Sequence, residues 1–161
     1  MNRLLRAAII GSALSVSLLS NAIAKPHSDT SAIAGTWILN SGQSKSAAPG
    51  MKSETRVYAV DGIKATMNAQ GVDASGKSVS NSYAAAYDGK FYPTVGNPVG
   101  DAIALTKVDS HTVTVILHMG SKIAATARAV VSHDGKRLTI TRKTGTPPGK
   151  IVTTVVAYDR K

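Results

Sequence analysis

Metal, acid–base and nucleophilic chemistry each need particular side chains at particular spacings. The histidines are His27, His111, His118 and His133. His111 and His118 lie seven residues apart, and on an extended strand an odd separation sends them to opposite faces, so they cannot close on one ion. His27 falls in a polar stretch and His133 in the turn sequence Ser132-His133-Asp134-Gly135. No metal site is expected. Glu54 is the sole glutamate, and Asp61, Asp73, Asp88, Asp109 and Asp134 occupy turn positions where aspartate has a local structural task. The chain has no cysteine, which excludes thiol catalysis and cysteine-bound metal. Gly-x-Ser-x-Gly and Gly-x-Gly-x-x-Gly sequences are absent as well. No catalytic residue is assigned and no cofactor is expected.

Binding chemistry is better represented. Tyr58, Tyr83, Tyr87 and Tyr158 offer aromatic walls with a hydroxyl tip. Arg142 shares a strand face with Leu138 and Ile140, so it points inward or ends the strand at a rim. An inward arginine needs a buried partner or an anionic ligand. Met67 and Met119 are adaptable apolar side chains that suit packing. The candidate ligand-contacting set is therefore Tyr83, Tyr87, Arg142, Met67, Met119 and Tyr158. Inward positions also include Ala65, Ala69, Ala85, Ala125, Ala127 and Ala129, and such small residues leave either a narrow solid interior or a cavity of roughly 300 Å³ or more.

The elements that would position these residues are strands. Asp61-Gly62, Asp88-Gly89, Asp109-Ser110, Gly120-Ser121 and Asp134-Gly135 separate segments rich in Val, Ile, Thr and Tyr, a pattern of short strands joined by hairpins. Strands are expected over residues 36–40, 54–60, 63–71, 78–87, 90–92, 102–108, 111–119, 122–131, 137–143 and 151–159. Their period is two. Val113, Val115, Leu117 and Met119 share one face, as do Ile123, Ala125, Ala127, Ala129 and Val131, with polar residues between them. Antiparallel sheet with one covered face follows. Residues 41–52, 94–100 and 144–150 read as irregular stretches, and in a barrel such loops sit at a rim where they can cover a mouth.

Arg3 and Arg6, an apolar run from Leu4 to Leu19, and Ala22-Ile23-Ala24 have the order of a secretory signal peptide. The expected organisation is a signal peptide over residues 1–24, a flexible leader over 25–34 and one domain over 35–161, located in the periplasm or secreted. The formal net charge of +10 falls to +8 once Arg3 and Arg6 leave. A basic surface favours anionic partners, peripheral contact with an anionic envelope surface among them, although the lysines are scattered and also keep a protein soluble. Nucleic acid is not expected, because Phe91 is the sole phenylalanine and no aromatic-basic platform is present.

Gly35-Thr36-Trp37, with Ile38-Leu39-Asn40 and Lys45-Ser46 behind it, resembles the Gly-x-Trp signature that opens the first strand of lipocalins. It is more similar still to a group of small exported lipocalin-like bacterial proteins. Further matching stretches are Tyr87-Asp-Gly-Lys-Phe-Tyr-Pro93, Asn97-Pro98, Val131-Ser-His-Asp-Gly-Lys-Arg-Leu-Thr139 and Val155-Val-Ala-Tyr-Asp-Arg160. The resemblance implies an up-and-down barrel of about 8–10 strands. It implies that Trp37 plugs the closed end, that Gly35 is structural, and that a late basic residue, Arg160 or else Arg142, packs over the indole. The Thr-Asp-x-x-Tyr turn of true lipocalins is absent.

The reading that unites these features is an all-β, lipocalin-like binding protein for a small apolar or amphipathic molecule, anionic ones included. Two alternatives stay open. One is a cofactor-free isomerase or cyclase in the same barrel, and the other is an envelope interaction module without a cavity. An enclosed space separates the first two from the third.

Overall fold

The computed structural model describes residues 31–45, 50–146 and 149–161. The signal-peptide reading of residues 1–24 and the leader residues 25–30 lie outside the described residues. Ten strands form, β1 (Gly35–Lys45), β2 (Met51–Asp61), β3 (Lys64–Asp73), β4 (Ser78–Ala86), β5 (Phe91–Val95), β6 (Ala102–Lys107), β7 (Thr112–Met119), β8 (Lys122–Val131), β9 (Arg137–Thr146) and β10 (Lys150–Arg160). Each pairs antiparallel with its neighbour in sequence, and β1 pairs with β10 to close the barrel. No helix occurs among the described residues. The expected all-β meander is the observed fold.

Alternation explains the layers. In β3, Ala65, Met67 and Ala69 are buried while Lys64, Thr66, Asn68 and Gln70 are exposed, so polar side chains face out and small apolar ones face in. The ten strands leave four connections at one end and five at the other. One end holds the turns at Asp61-Gly62, Asp88-Gly89, Asp109-Ser110 and Asp134-Gly135 together with residues 31–34, and the other holds the connections after β1, β3, β5, β7 and β9.

Three expectations about element ends need correction. The irregular stretches are shorter than read, because β1 continues to Lys45, β5 to Val95 and β9 to Thr146. In β1 the extension holds through a register shift after Asn40, with the Ser44 hydroxyl donating to the Asn40 carbonyl and accepting from the Ala157 N–H. The second correction concerns Ile123. Leu117 pairs with Ala125 but His118 pairs with Ile123, so Ala124 is an extra residue that reverses the alternation and leaves Ile123 64% exposed. Third, residues 31–34 are not a mobile leader. Ser31 and Ile33 are buried, and the Ala32 N–H donates to the Ser110 carbonyl at 2.8 Å.

The closed end is built on Trp37. Its indole is fully buried, Nε1 donates to the Ile33 carbonyl at 2.7 Å, and the Arg160 guanidinium carbon lies 4.2 Å from the ring centroid. Arg160 also donates to the carbonyls of Ala32, Ala34 and Gly135, which ties together the amino-terminal segment, β10 and the β8–β9 turn. Arg160, rather than Arg142, therefore covers the indole. Gly35 is required twice over: its φ is +128°, and a Cβ there would stand 2.5 Å from Arg160 Nη1.

The turn aspartates behave as the sequence suggests. The Ser75 hydroxyl lowers Asp73 below the ordinary 3.8, and the backbone N–H groups of Lys90 and His111 do the same for Asp88 and Asp109. For Asp134 the Ser132 hydroxyl does so. A carboxylate whose folded pKa is depressed contributes stability above its unfolded pKa, and that contribution is lost as pH falls through the folded value. The thermal midpoint should therefore hold level as pH drops toward about 4 and decline below it. Replacing Asp109 and Asp134 with Asn should lower the neutral-pH midpoint and flatten the acid limb. Melts that do not change between neutral and acid pH would contradict this.

Candidate functional site

Inward side chains do not fill the barrel. A cavity of about 720 Å³ runs from the floor at Ile33, Tyr87, Ile103, Val113 and Ala129 to a mouth at Ser41, Gly50, Met51, Asp73 and residues 96–99. Leu39, Val79, Val115, Leu117, Ala127, Ile140 and Val156 supply apolar wall between them. Small residues explain part of this space. Ala127 and Ala129 line it, whereas Ala65, Ala69, Ala85 and Ala125 are buried elsewhere in the core. The loop over residues 96–99 does reach the mouth, as a rim loop should. A shallower hollow of about 440 Å³ along residues 70–72 and 78–80 has no ionisable lining group.

A polar cluster crosses the apolar wall. It comprises Glu54, Arg56 and Tyr58 from β2, Arg142 from β9, and Thr154 and Tyr158 from β10. Residues 54, 56 and 58 share a face because the strand period is two, and the inward face of β2 is the polar one. Glu54 is buried and takes a two-pronged ion pair from Arg56, Nε to Oε2 at 3.1 Å and Nη2 to Oε1 at 3.2 Å. Tyr158 donates its hydroxyl to Glu54 Oε2 as well, and the Arg56 guanidinium carbon lies 5.0 Å from the Tyr158 ring centroid. Arg56 Nη1 reaches the Tyr58 hydroxyl at 3.4 Å. Glu54 is thus occupied on both oxygens.

Arg142 is placed differently. It stands opposite Ala127 on β8 and Thr154 on β10, and its buried Nε has no hydrogen-bond partner. Burial, followed by the neighbouring Arg56 charge, pulls its pKa below the ordinary arginine value. Burial works against Arg56 too, but the surrounding oxygens of Tyr158, Tyr58 and Glu54 overcome it and raise its pKa. Burial pushes Tyr83, Tyr87 and Tyr158 upward, so these phenols stay protonated as hydrogen-bond donors at neutral pH. Tyr87 also meets Ser31 through a side-chain hydrogen bond. Two guanidinium groups therefore face one carboxylate within the cavity, apart from Asp73 at its mouth.

The candidate residues divide accordingly. Tyr83, Tyr87, Arg142 and Tyr158 line the cavity. Met67 does not, since it is buried in the packed core opposite Tyr58 and Tyr83. Met119 does not either, because it ends β7 at the Gly120 hairpin, beyond the covered interior, and is 48% exposed. Glu54, Arg56 and Tyr58 complete the cluster. Glu54-x-Arg56-x-Tyr58 is the signal for them, three residues able to pair with one another at a spacing that shares one strand face. Of the histidines, His118 stacks on Phe91 at 3.8 Å, and His111 approaches His133 at 5.5 Å.

No family model matches the sequence, and no curated protein matches it. Among solved structures, the barrel is similar to the zebrafish ileal bile acid-binding protein complexed with cholic acid. The two share 12% sequence identity over 81% of this chain and 100% of that one, with a TM-score of 0.50. Lobster apocrustacyanin A1 is similar at 15% identity over 81% of this chain and 61% of that one, with a TM-score of 0.42. The first likeness is one of fold, and it agrees with the lipocalin-like barrel expected from the sequence.

Proposed function

We propose that this chain is an exported lipocalin-like protein whose barrel holds one small amphipathic molecule, its apolar body against the wall and an anionic head on Arg142. The observation that carries this reading is the buried, unpartnered Arg142 Nε in a wide cavity with an otherwise largely apolar wall. A buried guanidinium donor without an acceptor costs free energy, and a carboxylate, sulfonate or phosphate oxygen removes that cost through a charge-assisted hydrogen bond. Tyr83 and Tyr87, both protonated, add neutral donors. The zebrafish protein of the same fold is complexed with cholic acid, so a barrel of this kind accommodates a molecule of that class. Export is supported by the apolar stretch and small-residue site in residues 1–24.

Binding is favoured over acid–base catalysis. General acids and bases work best with a pKa near the operating pH, whereas Tyr83, Tyr87 and Tyr158 move away from neutrality and Glu54 is occupied on both oxygens.

The probe pair that tests this is 1-anilinonaphthalene-8-sulfonate and N-phenyl-1-naphthylamine, the same ring system with and without an anion. Arg142→Ala should weaken the sulfonate by about tenfold or more, the worth of one charge-assisted hydrogen bond, and leave the neutral probe within about twofold. Failure of both probes to bind would remove the cavity reading, and equal loss of both would remove the anionic head. Mass spectrometry of the protein from the exported fraction should show a chain beginning at Lys25, and an uncleaved chain would contradict export.

A further inference from the structure

The mouth of the barrel carries chemistry that the cavity does not use. Val95 at the end of β5, Met119 at the end of β7, Ile123 in β8 and Ile151 in β10 all stand at the open end, between 48% and 69% exposed. The same end carries Lys45, Lys52, Lys77, Lys122, Lys143 and Lys150, all exposed. Apart from Glu54 inside the cavity, the acids at this end among the described residues are Asp73 and Asp101, and both serve their own loops. Asp73 accepts from Ser75 and from the Lys77 N–H, and Asp101 accepts from the Gly120 N–H. At the closed end, by contrast, Asp61, Asp88, Asp109, Asp134 and Asp159 are interspersed among the basic residues. Positive charge is therefore concentrated around the mouth.

Exposed aliphatic tips between lysines match the boundary of an anionic bilayer, where tips enter the acyl edge and ammonium groups meet lipid phosphates. A second copy of the chain fits this end poorly, since a two-fold contact would set the same lysines against one another. Nucleic acid fits poorly too, because Val, Ile and Met offer no ring for a base to stack on. We propose that the open rim docks on an anionic lipid bilayer, with the cavity mouth facing the membrane. Val95, Met119, Ile123, Ile151 and the six lysines do not line the cavity, so docking stands or falls separately from the ligand reading.

The test is co-sedimentation of the purified chain with vesicles of phosphatidylcholine and phosphatidylglycerol, set against vesicles of phosphatidylcholine alone. Binding to the anionic vesicles should be tighter by about tenfold or more and should weaken as salt is raised. Lys52→Glu with Lys122→Glu should abolish that preference, Ile123→Asp with Ile151→Asp should weaken binding at unchanged charge on the lysines, and Lys64→Glu with Lys136→Glu at the closed end should change it little. All variants share the same amino-terminal segment, so any pull from its apolar run is common to every arm. Equal binding to neutral vesicles, no binding to anionic ones, or equal loss with the closed-end pair would overturn the proposal. So would a dimer in sedimentation velocity that Ile123→Asp dissociates, since the rim would then serve self-association. The naphthalene probes should bind the rim variants as they bind the parent.

Discussion

Trp37→Ala should lower the stability of the barrel by about 3 to 5 kcal/mol, the range for truncating a large buried aromatic side chain. The expectation rests on complete burial of the indole and on what it organises. Without the ring, the Ile33 carbonyl loses its Nε1–H donor and Arg160 loses the face over which it stacks, so the closed end loosens from both sides. Against a total of roughly 5 to 15 kcal/mol for a single domain, such a loss brings the fold close to unfolding. Trp37→Phe isolates one part, keeping most of the apolar area while deleting the hydrogen bond, at about 1 kcal/mol plus a packing term. Urea unfolding followed by far-ultraviolet circular dichroism measures both variants without relying on the lost fluorophore. In the parent protein the single tryptophan should emit at short wavelength and resist iodide. An unchanged urea midpoint in Trp37→Ala would show that the plug is dispensable.

Glu54→Leu should cost about 3 kcal/mol, because it strands the Arg56 guanidinium in the cavity wall without its carboxylate and takes the acceptor from Tyr158. The figure is set at the low end for a broken buried pair, since Arg56 keeps 21% of its side-chain exposure. Removing both partners behaves differently. Glu54→Leu with Arg56→Leu should regain most of the loss, as replacing a buried pair with apolar residues of similar size is often close to neutral. The binding arm has the opposite sign. Glu54→Gln removes the one carboxylate of the cluster, so the sulfonate probe should bind more tightly even as the free protein becomes less stable. Thermal melts with and without the probe read both effects at once. Equal loss in the single and double Leu variants would mean that the pair contributes nothing as a pair, and weaker sulfonate binding in Glu54→Gln would mean that the carboxylate itself contacts the ligand.

Local features were the legible ones. Turn positions at Asp88-Gly89 and Asp134-Gly135 and the period-two pattern of β3 depend on residues close in the chain, so the strand order and the meander followed from them. The pairing of Trp37 with a late basic residue was expected from resemblance, and the structure chose Arg160 over Arg142.

Where the alternation changes phase, the sequence alone could not decide. Ile123 reads as the natural continuation of Ala125, Ala127 and Ala129, yet the extra residue at Ala124 turns it outward, because a one-residue shift in pairing moves every later side chain to the other face. The Ser31 and Ile33 side chains looked like part of a solvated leader until the Trp37 indole and Arg160 gave them a surface to cover. β2 shows the same limit. Taken by itself, Glu54-Thr55-Arg56-Val57-Tyr58 would turn Val57 inward and leave the charges wet, whereas Val57 is 44% exposed and Glu54 is buried. The sequence by itself determined an all-β chain of ten short strands with their turns, because propensity and hairpin chemistry act between near neighbours. Only the closed barrel decided which face of β2 is the inside, and with it the cluster of Glu54, Arg56, Tyr158 and Arg142 with its unpartnered Nε, because those residues come from strands distant in sequence that meet only when β1 joins β10.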